Sequence, residues 1–187
     1  RRQRQMCIRD SYAESAFVRA ELAYHREVSA QHGQPMSAEQ AAPLVAYYRT
    51  YLTTQDAQHQ GTAHFRIGTL EQQADRRETA VQAYRDHLAS GDTGHVAEVR
   101  FRLGTLHMQL DQHPQAIREF QHYLKTKDAT HRPQALYLLG TLHEADGQDD
   151  PAETTYQHYL KTKDPAHADE VHFRLALLYQ KLSLIHI

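Results

Sequence analysis

Apolar positions along most of the chain are spaced for helices rather than for strands. Over residues 101–110, four apolar side chains fall on one face of a helix. A second apolar stripe over 116–124 follows a short polar turn that contains Pro114, a residue suited to the first turn of a helix. The pattern therefore predicts two helices joined by a tight turn.

This two-helix pattern repeats along the chain with a fixed period. An octapeptide, residues 121–128, reappears unchanged 36 residues later. A first-helix segment recurs at the same interval, as Phe65–Leu70, Phe101–Leu106, Tyr137–Leu142 and Phe173–Leu178. Such self-similarity is typical of arrays in which each unit buries its apolar face against its neighbours. We therefore predict an all-α protein, an α-solenoid of antiparallel helix pairs.

Small residues and aromatic rings hold fixed positions in each unit. A glycine inside a helix costs about 1 kcal/mol relative to alanine, so its recurrence predicts close approach of the second helix. We expect an alanine twelve residues later to form the other half of this contact, and a ring sixteen residues after the glycine to cover it. These packing positions are Gly68, Ala80, Tyr84, Gly104, Ala116, Phe120, Gly140, Ala152 and Tyr156.

This spacing resembles the tetratricopeptide repeat, whose usual period is about 34 residues. The stretch 128–140 is similar to the longer variant found in bacterial cell-envelope proteins of the Tol-Pal coordinator and outer-membrane assembly lipoprotein types. The resemblance covers about residues 37–180. It implies a right-handed superhelix of helix pairs whose concave groove, lined by first helices, binds a partner protein or peptide.

By the same resemblance, residues 61–96, 97–132 and 133–168 are repeats, and 169–181 is the first helix of a truncated one. Residues 12–60 predict a longer, irregular leading helix pair. Its first helix would run from Tyr12 to about Gln31 and be closed by Gly33, and Ser37 with Gln40 would form a capping box for the second.

Both ends of the chain depart from the repeat pattern. Residues 1–11 and 182–187 resemble translated sequencing-adapter tails, and we expect neither to be native. With no second helix after the last first helix, Phe173, Leu175 and Leu178 are predicted to be uncovered, which offers a surface for self-association.

The resemblance also places a set of first-helix residues in the groove. They are Thr69, Gln73, Glu98, Thr105, Met108, Gln109, Gln134, Thr141, Glu144 and Glu170. The alternative is that these side chains are simply solvated. The Lys and Asn set with which chaperone-binding members clamp a C-terminal carboxylate is missing from the motif. We therefore expect a helical or extended partner segment rather than a chaperone tail.

Composition changes this picture little. With 21 basic and 23 acidic residues the net charge is −2, so no bulk charge points to nucleic acid. No apolar run approaches the length of a membrane span, and the lone Cys7 excludes an intrachain disulfide. A bacterial source is expected, with periplasm or cytoplasm left open.

The 15 histidines raise the question of metal binding. An Asp-x-x-His motif occurs in every inter-repeat loop, at Asp56/His59, Asp92/His95, Asp128/His131 and Asp164/His167. We interpret the Asp as the cap that ends one helix and the His as a loop residue, because copies one helix pair apart cannot share a zinc ion. The columns His107/His143 and His122/His158 leave a metal-binding alternative open.

No catalytic motif stands apart from the repeat template, and no cofactor is predicted. The sequence thus favours a non-catalytic scaffold for protein–protein interaction. A docking region of a larger enzyme or of a secretion or envelope assembly protein is the alternative. A His-dependent metal-binding protein is a third, less favoured hypothesis.

Overall fold

The computed structural model describes residues 2–31, 34 and 36–185, and every regular element among them is an α-helix. The helices of this described part are α1 (Arg2–Ala30), α2 (Ala38–Leu52), α3 (Gln60–Gln73), α4 (Arg77–Ala89), α5 (Val96–Gln109), α6 (His113–Leu124), α7 (Arg132–Ala145), α8 (Asp149–Lys161) and α9 (Ala168–Ile185). The predicted all-α class is confirmed. Pro114 lies in the first turn of α6, as the sequence predicts.

The chain divides within α5 into two compact units, the first ending at Val99 and the second beginning at Arg100. In unit 1, α1 packs on α2, α2 on α3 and α3 on α4. In unit 2, α6 packs on α7, α7 on α8 and α8 on α9. Packing between sequence neighbours is the organisation of an α-solenoid, in which each helix pair is stabilised by the next.

The glycine in each first helix faces an aromatic ring of the second helix. A Cβ built on Gly68 would lie 2.6 Å from the Tyr84 ring, and one on Gly104 would lie 2.6 Å from the Phe120 ring. Gly140 meets the Tyr156 ring in the same way. Any larger residue would overlap the ring, which is why this helix position carries glycine despite its cost.

The alanines at these repeat positions are buried, as close helix packing requires. Ala80, Ala116 and Ala152 are fully buried. However, the atoms nearest to each glycine belong to the ring. The ring, which the sequence predicts as the cover of this contact, is therefore the nearest neighbour of the glycine.

The leading helix pair begins earlier than the sequence predicts. Helix α1 starts at Arg2, not at Tyr12, and ends at Ala30. Its predicted closing residue, Gly33, lies outside the described residues. The predicted capping box is present, because the Gln40 amide donates to Ser37 Oγ at 3.3 Å and the Ser37 amide donates to Gln40 Oε1 at 3.0 Å.

At the other end, the prediction that three side chains of the last helix are uncovered is wrong for two of them. Leu175 and Leu178 are buried in a cluster with Tyr156 and Tyr159 of α8. Phe173 is 64% exposed, because it lies on a different side of α9. The helix has two apolar sides, and α8 covers only one of them. Among the described residues, no helix combines the length and the apolar character needed to cross a membrane.

Candidate functional site

Each inter-repeat loop places its histidine flat against an aromatic ring of the preceding first helix. The ring planes agree within 11° and the centroids lie 3.9–4.3 Å apart. The four stacked pairs are His59 on Phe17, His95 on Phe65, His131 on Phe101 and His167 on Tyr137. The recurring histidine is therefore a packing residue that fixes the loop to its own repeat.

In three of these loops, a buried tyrosine at the end of the second helix adds hydrogen bonds. The Tyr123 hydroxyl accepts from the His131 amide at 2.8 Å and donates to Asp128 Oδ1 at 3.1 Å. Asp128 Oδ1 also accepts from the Thr130 amide at 2.8 Å. The Asp thus forms a turn inside the loop instead of capping the helix end, which corrects the expectation.

We call this arrangement the tyrosine clasp. It consists of one buried tyrosine, the Asp five residues later and the His eight residues later, and it is built on Tyr51, Tyr123 and Tyr159. Burial raises the pKa of Tyr51 to about 12. It also raises the pKa of Tyr123 and of Tyr159.

The remaining loop, which follows α4, has His87 at the position of the clasp tyrosine. Its Nδ1 lies 2.9 Å from the Gly61 carbonyl oxygen, which makes Nδ1 the protonated nitrogen. The ring is fully buried, 6.2 Å from that of His95 between centroids. Its Nε2 has no hydrogen-bond partner within the described part of the chain.

The first-helix histidines are also used internally. His107 and His143 are buried, and the Nδ1 of each lies 2.7 Å from the side-chain oxygen of Gln112 or Gln148 across the turn. In the first repeat, Glu71 and Arg76 form an ion pair at the same two positions. Within the residues described, no three His, Cys, Asp or Glu side chains are arranged to hold a metal ion.

In unit 1, the predicted groove residues differ widely in exposure. Thr69 is only 8% exposed, and its hydroxyl donates to the Phe65 carbonyl at 3.1 Å. It therefore offers little surface to a partner. Gln73 is exposed, and Glu98 is partly exposed with its carboxylate 3.9 Å from His95 Nδ1.

In unit 2, we define the groove face by the predicted residues that belong to this unit. These are Thr105, Met108, Gln109, Gln134, Thr141, Glu144 and Glu170, and all are exposed or partly exposed. The hydroxyls of Thr105 and Thr141 each donate at 2.8 Å to a carbonyl of their own helix. Gln109 and Gln134 present exposed amides, whereas the Met108 side chain is half-buried.

The two glutamates of this face share a guanidinium that the sequence did not single out. Arg174 Nη1 donates to Glu144 at 2.9 Å, and Nη2 donates to Glu170 at 2.8 Å. Tyr156 donates its hydroxyl to Glu144 at 2.8 Å. The hydrogen bond from Arg174 is the main cause of the lowered pKa of Glu170.

An equivalent arrangement lies in unit 1. Arg66 donates two hydrogen bonds to Glu21, each at 3.1 Å, and Tyr48 donates to the same carboxylate at 2.5 Å. Both arrangements could have been found by comparing equivalent positions of the repeats. Arg66 and Arg174 are three repeat lengths apart, and so are Tyr48 and Tyr156.

Comparison with known proteins agrees with this geometry. The tetratricopeptide repeat family model matches residues 134–162, which cover most of α7 and α8. The matched segment is thus a tetratricopeptide repeat within this chain. No curated protein matches its sequence.

Solved structures of low sequence identity share the fold of the array. The MamA protein superposes with a TM-score of 0.69 at 15% identity, over 91% of this chain and 84% of that one. YrrB, described as a TPR protein with an unusual peptide-binding site, superposes with a TM-score of 0.62 at 19% identity. The match covers 78% of this chain and 71% of YrrB. PilF of Pseudomonas aeruginosa superposes with a TM-score of 0.57 at 19% identity, over 94% of this chain and 86% of PilF. At these identities the likeness concerns the fold.

Proposed function

We propose that this protein is a non-catalytic scaffold that binds a segment of a partner protein on the groove face. The supporting observation is a division between two sets of side chains. The recurring rings and loop residues are buried or bonded to one another within their own repeat. The groove face instead keeps exposed amides at Gln109 and Gln134.

The chemistry of the groove face suits a peptide. Amide and carboxylate groups donate to and accept from the backbone of an extended segment or the side chains of a helical one. The fold likeness to YrrB, whose structure has a peptide-binding site, supports the same use of the fold here. The loop histidines are stacked on rings, so the commonest acid–base side chains serve packing in these loops.

The experiment is selection of binders from a library of random peptides displayed on phage, with the full chain immobilised. The dissociation constant of a selected peptide is then measured by fluorescence polarisation. Thr105→Arg combined with Thr141→Arg adds bulk to two neighbouring first helices of the groove face. We expect this change to weaken binding about tenfold or more.

Gln121→Arg combined with Gln157→Arg is the matched control, because both residues are exposed on second helices and together receive the same two side chains. We expect it to bind the peptide as the wild type does. Circular dichroism checks that both variants keep their helical content. Equal affinity for wild type and the Thr105/Thr141 variant would contradict the groove assignment.

A further inference from the structure

A Tyr–Glu–Arg trio recurs in the protein, with the Glu and the Arg on successive first helices and the Tyr on the second helix between them. In unit 2, Glu144 accepts from Tyr156 at 2.8 Å and from Arg174 at 2.9 Å. In unit 1, Tyr48 and Arg66 stand in the same register and bind a carboxylate in the same way. The register position of Glu144 is taken there by Met36, so the carboxylate comes from elsewhere.

That carboxylate is Glu21 of α1, which belongs to the irregular leading helix pair. The same contact is thus made from a different sequence position. A tyrosine hydroxyl and a guanidinium at this place need an acceptor, because a buried donor without one costs about 1–3 kcal/mol. In the repeat at 61–96 the acceptor is an amide oxygen, because Tyr84 donates to Gln72 Oε1 at 2.9 Å.

One repeat lacks the polar trio altogether. One repeat length before Tyr156, Glu144 and Arg174 stand Phe120, Met108 and Leu138. All three positions change together from polar to apolar. A change at one position alone would leave a donor or acceptor without its partner, whereas the joint change leaves none.

The joint change also alters the surface. Phe120 is fully buried, but Met108 and Leu138 are only half-buried. Their remaining apolar surface lies in the register where the last repeat presents an ion pair. A charged side chain brought there by a partner would lose its hydration with no opposite charge in compensation, whereas a large apolar one would gain from burial.

The next repeat along unit 2 has the opposite character. There the two carboxylates of Glu144 and Glu170 share one guanidinium, that of Arg174, with hydrogen bonds at 2.9 and 2.8 Å, and His167 Nδ1 lies 4.0 Å from Glu170. This cluster carries one negative charge in excess and favours a basic residue in the bound segment. We call the half-buried Met108 and Leu138 the Met108–Leu138 step, and the cluster of Glu144, Glu170 and Arg174 the acidic step. The two therefore occupy successive register positions in unit 2.

From these observations we infer that the Met108–Leu138 step is an anchor site for a large apolar side chain of a peptide that carries a basic residue nearby. The occupant is a segment of a partner protein with this apolar–basic chemistry. The inference rests on the proposed function and adds the residue that selects the partner. Aliphatic and aromatic anchors commonly dominate the binding energy of such contacts.

The test exchanges the trio of one repeat for that of the next. Met108→Glu, Phe120→Tyr and Leu138→Arg together give the repeat at 97–132 and the helix after it the residues found one repeat length later. The reverse variant combines Glu144→Met, Tyr156→Phe, Glu170→Gln and Arg174→Leu, because Glu170 would otherwise keep the net negative charge of the cluster. The probe is a peptide selected on the wild-type chain from the random library, together with its alanine-substituted copies.

We expect selected peptides to share a large apolar residue whose replacement by alanine weakens binding about tenfold. The Met108/Phe120/Leu138 variant should lose the same factor, and the alanine replacement should then have no further effect. In the reverse variant the apolar residue should keep its full effect, while the basic residue should lose its effect. Leu138→Arg alone, at a half-buried position, provides a second variant should the triple change reduce helical content.

Two results would overturn the inference while leaving the proposed function intact. The first is that the selected peptides share no large apolar residue, although Thr105→Arg with Thr141→Arg weakens their binding. The second is that the Met108/Phe120/Leu138 variant binds a selected peptide as tightly as the wild type does. A peptide that ignores the Thr105/Thr141 change would overturn both, as would a library that yields no binder.

Discussion

The loop after α4 and the loop after α6 solve the same problem with different residues. Both stack a histidine on a first-helix ring, His95 on Phe65 and His131 on Phe101. After α6, the Tyr123 hydroxyl then links the amide of His131 to Asp128. After α4, the tyrosine position holds His87, which bonds to the Gly61 carbonyl instead.

The difference separates what every repeat needs from what a repeat can replace. The histidine stack is present in all four loops, whereas the clasp is present in three. In the loop without a clasp, the chain comes close to α3, because a Cβ on Gly61 would overlap Asp92. Because this loop lacks the hydrogen bonds of the clasp, we expect it to open more readily than the other three.

Removing the whole side chain should separate the two loops most clearly. Tyr123→Ala deletes a fully buried ring and the clasp, so we expect a loss of about 3–5 kcal/mol in the free energy of unfolding. His87→Ala deletes a smaller ring and a single hydrogen bond, and we expect about 1–3 kcal/mol. Urea unfolding followed by circular dichroism measures both. Equal losses would mean that the clasp adds nothing to its loop.

Removing only the hydroxyl isolates the clasp from the ring. Tyr123→Phe leaves the His131 amide without its acceptor and removes one of the donors to Asp128, so we expect a loss of about 1–2 kcal/mol by urea unfolding. Tyr47→Phe is the control, because Tyr47 is 49% exposed on α2. Its effect should stay within about 0.5 kcal/mol. A Tyr123→Phe variant as stable as this control would refute the clasp.

Alkaline pH should weaken the clasped loops through the same hydroxyl. Burial raises the pKa of Tyr51 to about 12, against about 10 for tyrosine in an unfolded chain. The folded state therefore keeps this proton longer. The resulting stability is complete below about pH 10 and is lost as the pH rises towards 12.

The melting temperature measured across this range tests the effect. It should fall less steeply with pH in Tyr51→Phe than in the wild type. The same slope in both proteins would show that the Tyr51 hydroxyl does not couple proton loss to folding.

Zinc should have the smallest effect. The loop histidines are stacked on rings, and the fourth loop adds only His87, with its ring centroid 6.2 Å from that of His95. Micromolar zinc should therefore change neither the melting temperature of the wild type nor that of His87→Ala. A rise in the wild type that His87→Ala abolishes would assign this loop a metal-binding role.

Much of the fold could be predicted because the relevant signals are local and repeated. Helix spacing, the turn at Pro114 and the capping box of Ser37 all lie within a few residues of sequence. The glycine positions predicted close helix contact, but the ring, which is also in register, turned out to be the closest neighbour. The burial of Leu175 was missed, because one helix can bury one apolar side and expose another.

The candidate site was less accessible from sequence, since its contacts join residues far apart in the chain. The hydrogen bond from Arg174 to Glu144 spans 30 residues and has no local motif. The stacking of His131 on Phe101 spans the same distance. The repeat register alone indicates such pairs, and only when equivalent positions are compared across repeats.

Native-state hydrogen exchange tests the central claim, that tyrosine clasps fasten three loops and are missing from the fourth. The amides of His131 and His167 donate to tyrosine hydroxyls at 2.8 and 2.7 Å, whereas that of His95 has no tyrosine at the corresponding position. We predict that His95 exchanges about five- to tenfold faster than His131 and His167, matching the roughly 1 kcal/mol of one hydrogen bond. Equal exchange rates at the three amides would contradict the account.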